Sequence, residues 1–293
     1  MKAAEFDYAR AGTVEEVCRL LDGAHGDGKI IAGGQTLVPL LVMRLARPSL
    51  VIDINRLDAL HGVAATEDGV VIKAATRQAD VLADEVVRRR LPLLTKALHL
   101  VGHPQTRNRG TIGGSLANAD PAAEICLVAR TLDAEITARG SQGERKLAMA
   151  DFCVSAMTTA LAPEECLTAI RFPAWRDAGR MGTGFAEMSV RHSDFALVAA
   201  ACQLALDRDG VCRRIALGIG GAEAKPFRAT AAEARLVGTR LETADLDKAM
   251  DEMQQALSPL ADVHASADYR RRVAGALAAR ALAEARDEAR VAA

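Results

Sequence analysis

Lys29-Ile30-Ile31-Ala32-Gly33-Gly34-Gln35-Thr36-Leu37 is a short apolar run that stops at two consecutive glycines and a hydroxyl residue. Lys29 to Ala32 reads as a strand, and the glycines end it. Such a bend can aim several successive backbone N–H groups at one anion. Glycine reaches backbone angles closed to most residues and carries no Cβ to hold an anion off the chain. The plainer alternative is a strand-ending turn, the commoner use of an isolated glycine pair. A second stretch, Gly110-Thr111-Ile112-Gly113-Gly114-Ser115-Leu116-Ala117-Asn118-Ala119-Asp120-Pro121-Ala122-Ala123-Glu124, repeats the chemistry. Two loops of backbone donors can neutralise a diphosphate from both sides without any Lys or Arg. An acidic residue shortly after the second loop can accept from sugar or ring donors. Neither stretch is Gly-x-Gly-x-x-Gly, nor the Gly-x-x-x-x-Gly-Lys-Ser/Thr loop of nucleotide triphosphatases.

Outward from these loops the chain reads as mixed α and β. Thr13 with Glu16, ahead of Val17, Leu20 and Leu21, resembles a capping box opening a helix that ends near Gly23. Val51 to Ile54 and Val70 to Ala74 read as strands, the second followed by Thr76 as N-cap of a helix through Val81, Leu82 and Val86. Asp120-Pro121 should start a helix through Ile125, Leu127 and Val128 that ends by about Asp133. Glu135 to Ala138, a Gly140 to Gly143 turn and Arg145 to Met149 suggest a hairpin, with Leu167 to Phe172 as a later strand. Pro173, Trp175 and Gly179 mark a joint. Beyond it Glu187 to Arg191, Phe195 to Leu206 and Val211 to Ile219 read as antiparallel strands, followed by helices beginning near Thr230, Thr243 and Ala265.

Composition narrows the function. At roughly 150 residues per domain, 293 residues favour two packed units. A chain half hydrophobic and 26% charged is not a disordered tail, a collagen-like fibre or a membrane channel. Lys+Arg 37 against Asp+Glu 38 leaves net charge -1, so nucleic acid is not an expected partner. The closest two of the six cysteines, Cys202 and Cys212, are too far apart in sequence for a Cys-x-x-Cys pair, so an iron–sulfur cluster or structural zinc belongs to another chain. The first residues lack an apolar signal core and no stretch reaches the ~18 apolar residues of a membrane span, so a cytoplasmic protein with reduced thiols is expected.

Ala32-Gly33-Gly34-Gln35-Thr36-Leu37-Val38-Pro39, Thr111-Ile112-Gly113-Gly114-Ser115, Asp120-Pro121-Ala122-Ala123-Glu124 and Arg191-His192-Ser193-Asp194-Phe195-Ala196 together give the chain a further likeness, nearly end to end. It resembles the FAD-binding medium subunit of the molybdenum hydroxylases, the xanthine and carbon monoxide dehydrogenase group. That resemblance implies an α+β fold: a p-cresol-methylhydroxylase-type FAD-binding domain over 1–176, in subdomains of about 1–55 and 56–176, and a smaller C-terminal α+β domain over 177–293. It implies FAD held by Lys29, Ile30, Ile31, Ala32, Gly33, Gly34, Gln35, Thr36 and Leu37 and by Thr111, Ile112, Gly113, Gly114 and Ser115, with Asn118, Asp120, Glu124, Val101, Gly102 and Leu167 around the cofactor. Some relatives carry a Lys just after the position of Phe185, where this chain has Ala186-Glu187. No catalytic acid or base and no metal is implied on this chain. Molybdopterin and [2Fe–2S] clusters would sit on a large and a small partner subunit, in a dimer of heterotrimers, with electrons passing through FAD to an external acceptor. A self-contained flavin oxidase and a cofactor-free structural subunit are the alternatives.

Other patterns carry less. Gly33-Gly34-Gln35 also spells the tripeptide of class-1 translation release factors, but such a factor needs a basic RNA-binding surface. His99 and His103 have the spacing of a helical zinc pair, which Gly102 and Pro104 spoil. Ser115 lacks the Gly-x-Ser-x-Gly of a nucleophile elbow. Cys202 and Cys212 would face one another across a hairpin as packed thiols. The arginines from Arg270 to Arg290, diluted by Asp268, Glu284, Asp287 and Glu288, read as a solvated helix face.

Overall fold

A parallel three-stranded sheet opens the chain in the computed structural model, which describes residues 2–175, 179–191 and 193–292. Its elements are β1 (Asp7–Arg10), α1 (Val14–Gly23), β2 (Gly28–Ile31), α2 (Leu37–Val42) and β3 (Leu50–Asp53), with strand order β1-β3-β2. The Thr13 hydroxyl accepts from Glu16 N at 3.1 Å, as the capping pattern requires. The Glu16 carboxylate reaches one residue further back, to Gly12 N at 2.7 Å. Val17, Cys18 and Leu21 of α1 close a small core on Ile52, Leu57 and Leu60.

The second unit is an antiparallel sheet with helices against it. It comprises β4 (Val63–Thr66), β5 (Gly69–Lys73), helices α3 (Gln78–Ala83), α4 (Glu85–Arg90), α5 (Pro92–Leu100), α6 (Pro104–Arg109), α7 (Ile112–Asn118) and α8 (Glu124–Thr131), then the hairpin β6 (Glu135–Gly140) and β7 (Gly143–Ala148). A short α9 (Met149–Phe152), the ribbon β8 (Cys153–Ser155) and β9 (Thr158–Thr159), and β10 (Cys166–Pro173) complete it. The strand order β4-β5-β10-β6-β7 puts β10 at the centre. Adjacent residues of β10 serve different cores: Cys166 joins that of the first unit, Leu167 that of the second. Such alternation is what a strand does when both faces are covered.

Three local expectations fail here. Thr76 does not cap α3; its hydroxyl donates to Lys73 O at 2.7 Å and accepts from Gly62 N, and the helical stretch is split at Asp84, whose carboxylate caps α4 through Val86 N and Val87 N. Asp120-Pro121 does not start α8. Asp120 makes its own turn by accepting from Ala122 N at 2.9 Å, and the helix begins at Glu124 after Ala123. The second glycine stretch is not a loop at all but α7.

The last unit has β11 (Arg180–Ser189), β12 (Ala196–Leu206), β13 (Cys212–Gly220) and β14 (Phe227–Arg228) in sequential antiparallel order, then α10 (Thr230–Leu236), α11 (Thr243–Ala256) and α12 (Ala267–Val291). β11 starts seven residues before Glu187 and ends at Ser189, which corrects the expected Glu187 to Arg191 strand. Gly182 and Gly184 let α12 lie directly on it: a Cβ at either would collide with the carbonyl oxygens of Ala285 and Ala281. The matching face of α12 is Ala274, Ala278, Ala281, Ala285 and Ala289. Arg270 is not on a solvated face. It is buried and donates to Leu197 O and Gly221 O and to the Asp262 carboxylate. Register pairs Cys202 with Leu217 and Cys212 with Leu206, so these thiols are not cross-strand partners, although both are buried and free.

One face of this sheet meets α10, α11 and α12; through Phe185, Ala199 and Ala201 the other joins the core of the second unit. Lys96 on α5 clamps the seam, donating to Thr183 O at 2.6 Å and to Glu284 and Glu288 of α12 at 2.7 Å. No helix among the described residues is long and apolar enough to cross a membrane. His192 of the Arg191 to Ala196 signature and the expected boundary at 176/177 lie outside the described residues.

Candidate functional site

The two glycine segments touch. β2 ends at Ile31 beside β3, and the chain turns through Gly33, which is buried against the backbone of the second segment. A Cβ at Gly33 would collide with the Arg109 carbonyl oxygen and lie 2.8 Å from Gly110 Cα. Gly34 follows at φ +72°, in the left-handed region that favours glycine. The bend then runs into α2, where Val38 N returns to Gly34 O at 3.0 Å.

The consequence is a row of open donors. The N–H groups of Gly33, Gly34, Gln35, Thr36 and Leu37 make no hydrogen bond among the described residues. Their neighbours Gln35, Thr36, Val38 and Pro39 are exposed. A cleft of ≈ 360 Å³ opens here, lined by Gly33, Gly34, Gln35, Val38, Pro39 and Arg109. Successive unpartnered amides around a left-handed residue form a concavity for an anion.

The second segment is built differently. Ile112 N donates to Thr76 O at 3.2 Å, Gly113 N to Ala74 O at 2.8 Å, Gly114 N to the Thr111 hydroxyl at 3.0 Å and Ser115 N to Thr111 O at 3.2 Å. Four of the five amides expected to face an anion are therefore taken up by the protein. Gly113 is a glycine for packing, since a Cβ there would lie 2.6 Å from the Ala74 Cβ and 2.7 Å from its carbonyl oxygen. Gly114 is exposed, and a Cβ there would meet only the Thr111 hydroxyl at 2.7 Å. The open side of α7 consists of Gly114, Ser115, Ala117 and Asn118, with Asn118 Nδ2 3.5 Å from Met157 Sδ.

A cation also stands at the cleft, against the expectation that backbone alone would serve. Arg109 is exposed and lines it, and Arg77 donates from one nitrogen to the Arg109 carbonyl and from another to Asn55 Oδ1 at 2.6 Å. Burial, and then the charge of Arg109, lower the Arg77 pKa, as two guanidiniums held together should. Arg109 escaped the sequence reading because one Arg in a chain of balanced charge gives no signal; only the contact of the two segments brings it beside Gly33.

The remaining candidates lie around this centre. Lys29 is exposed on β2 opposite Val51, and Ile30, Ile31 and Ala32 are half-buried. Val101 and Gly102 follow α5 and are held by Arg107 Nη1, which donates to their carbonyls at 2.9 and 2.8 Å. That contact ties them to α6, which leads straight to Arg109. Leu167 is buried in the same core as Ile112 and Leu116. Neither Asp120 nor Glu124 lines the cleft.

Glu124 instead lies within electrostatic reach of a second carboxylate. It is buried on α8 near Glu187 of β11, and burial first, then the charges of Glu187 and Asp120, push it up to about 7. Burial lifts Glu187 to about 7 as well, and its Oε2 is enclosed without a hydrogen-bond partner. Both carboxyls are enclosed where the C-terminal sheet packs on the second unit. Glu187 was legible only as an acid in place of a Lys. Its partner could not be read from a strand predicted in the wrong place.

Three packed units with an open amide cradle between the first two suit an anionic ligand, and the comparisons say which family has this build. Residues 4–175 match the family described as FAD binding domain in molybdopterin dehydrogenase, and residues 183–285 match CO dehydrogenase flavoprotein C-terminal domain. The chain is 40% identical over 290 residues to the 6-hydroxypseudooxynicotine dehydrogenase complex subunit alpha of Paenarthrobacter nicotinovorans, covering 99% of this chain and 97% of that one. It is 32% identical to the carbon monoxide dehydrogenase medium chain of Afipia carboxidovorans, covering 99% and 100%. The solved structure of reconstituted CO dehydrogenase from Oligotropha carboxidovorans superimposes with TM-score 0.94 at 32% identity, covering 98% of this chain and 100% of that one. The chain belongs to the FAD-binding medium-subunit family of the molybdenum hydroxylases. It is a component of an oxidoreductase, and FAD is its cofactor.

Proposed function

We propose that this chain is the electron-transfer subunit of a heterotrimeric molybdenum hydroxylase, taking electrons from [2Fe–2S] clusters on a small subunit and releasing them to an external acceptor. Hydroxylation would take place on a large molybdopterin-binding subunit, in a cytoplasmic dimer of heterotrimers. The chain divides at 176/177 into an FAD-binding and a C-terminal domain, a division the two matched family ranges support. The observation that carries the reading is the row of five open amides from Gly33 to Leu37 beside Arg109.

The isoalloxazine ring of bound FAD supplies the electron-carrying chemistry. The residues of the chain bind and orient it. Gly33 to Leu37 grip the diphosphate through backbone N–H groups, and Arg109 adds the charge that two phosphate negatives call for. Lys29, Ile30, Ile31 and Ala32 lead into that grip. Thr111 to Ser115 wall the opposite side by close approach and through the Ser115 hydroxyl, with Asn118 and Asp120 beyond. Val101, Gly102 and Leu167 would wall the ring from water, while the carboxyls of Glu124 and Glu187, raised to about 7 by burial, would hold a proton where the C-terminal sheet packs on the second unit.

The native complex tests this. Purified with its companions, it should be yellow from flavin and carry molybdopterin and iron–sulfur in the other two subunits. Arg109→Glu should weaken FAD retention at least about tenfold, through loss of a charge-assisted contact of roughly 1.5–3 kcal/mol. A colourless chain that refuses added FAD, or one isolated alone as an active oxidase, would overturn the proposal.

A further inference from the structure

Arg77 is not among the residues that line the cleft; it is half-buried and stands immediately before α3. Its backbone pairs with that of Thr111, and Gln78 N donates to Gly110 O at 2.9 Å. The start of α3 therefore runs alongside the segment that Gly33 touches. The side chain reaches further. One guanidinium nitrogen donates to the Arg109 carbonyl oxygen, the atom that a Cβ at Gly33 would strike, and another donates to Asn55 Oδ1 at 2.6 Å.

Asn55 is itself held. At the end of β3, Asp53 Oδ1 accepts from Asn55 N at 2.8 Å and from Asn55 Nδ2 at 2.7 Å, while Asp53 Oδ2 accepts from the Tyr8 hydroxyl of β1 at 2.5 Å. With its Nδ2 committed to Asp53, the Asn55 amide turns Oδ1 toward Arg77. A continuous polar chain thus runs from Tyr8 through Asp53, Asn55 and Arg77 to the Arg109 carbonyl, from the parallel sheet of the first unit to the C-terminal end of α6 in the second. That carbonyl is one of the acceptors that a helix end leaves without an intrahelical donor. Bare beside Gly33, its partial negative charge would oppose an anion bound at the amide row. The Arg77 guanidinium covers it, and both oxygens that Arg77 contacts are neutral, so its charge is not cancelled at contact.

We propose that Arg77 is a positioning residue for the diphosphate grip: by holding the Arg109 carbonyl it fixes the spacing between the Gly33 to Leu37 amides and the Arg109 side chain, and it keeps the carbonyl lone pairs off the bound anion. The role rests on the reading of Gly33 to Leu37 and Arg109 as the seat of the FAD diphosphate. Arg77 acts through Arg109 and not by touching the cofactor. Asn55 acts through Arg77 in turn, so its influence on FAD is the smaller.

Titration of the full chain, stripped of flavin, with FAD and read by quenching of flavin fluorescence tests this. Arg77→Met keeps the backbone pairing with Thr111 and should raise the Kd for FAD roughly tenfold, the worth of one charge-assisted hydrogen bond. Arg77→Lys can reach only one of the two oxygens at a time and should weaken binding about threefold. Asn55→Leu should also cost about threefold, and nothing more in the R77M background. A merely structural Arg77 would lower the melting temperature and leave the Kd unmoved, as Lys96→Met at the seam should. R77K and N55L decide if R77M does not fold. A wild-type chain that takes up no FAD would overturn both the role and the reading beneath it. Tight FAD binding by the wild type with an unchanged Kd in the Arg77 variants, or losses in R77M and N55L that simply add, would overturn the role of Arg77 and leave that reading standing.

Discussion

The segments Gly33–Leu37 and Thr111–Ser115 look alike in sequence and do opposite things. In the first, five amides are left open and two glycines are demanded by the fold, Gly33 by contact with the Arg109–Gly110 backbone and Gly34 by its positive φ. In the second, four amides are spent on Ala74, Thr76 and Thr111, and of the two glycines only Gly113 is sterically required by backbone. A glycine pair therefore marks close approach at least as often as ligand contact. Gly33, Gly34 and Gly113 would be needed even in a cofactor-free subunit, so their presence is not an argument against one; the open donors are.

The sharpest way to break the contrast is to add bulk to each segment. Gly33→Val should force the two segments apart, costing about 3 kcal/mol, lowering the melting temperature by roughly 6–12 °C and abolishing flavin retention. Gly114→Ala should be near neutral in stability, because a lost Thr111 cap of about 1 kcal/mol is offset by about 1 kcal/mol of helix propensity. Equal melting temperatures for the two variants would erase the distinction.

A smaller effect lies at the junction. The Glu124 carboxyl is raised to about 7 in the folded chain from an ordinary value of 4.5. The folded state therefore holds that proton more tightly than the unfolded one, and stability is full below about pH 4.5 and is lost as pH rises toward about 7. For the flavin-free chain the loss at Glu124 should be on the order of 2–3 kcal/mol, and because Glu187 is raised over the same range, Glu124→Gln should reduce the slope by the Glu124 share and leave that of Glu187. A melting temperature with the same pH slope in E124Q would place the titration elsewhere.

Much of this was legible. The strands β2, β3, β5, β6, β7, β10, β12 and β13 are short apolar or alternating runs bounded by turns, α1 announces itself by its cap and periodicity, and α10 to α12 begin at or within two residues of the expected Thr230, Thr243 and Ala265. The misses share one physical cause, tertiary contact overriding local preference. Gly182 and Gly184 hide the first half of β11 because glycine weakens a strand, yet α12 packs there only because they are glycine. Ile112 to Asn118 reads as loop, and becomes helix because Thr111 caps it and Gly113 seats on Ala74. Thr76 is drawn from capping by Gly62 and Lys73. At the site the loop residues were visible and their partners were not: Arg109 and Glu187 acquire meaning only from a neighbour distant in sequence.

Amide hydrogen exchange on the chain with and without FAD tests the asymmetry most directly. The N–H groups of Gly33 to Leu37 should exchange fast in the flavin-free chain and become protected on adding FAD, while those of Ile112 to Ser115 are slow in both. Protection gained at Ile112 to Ser115, with Gly33 to Leu37 unchanged, would contradict the account.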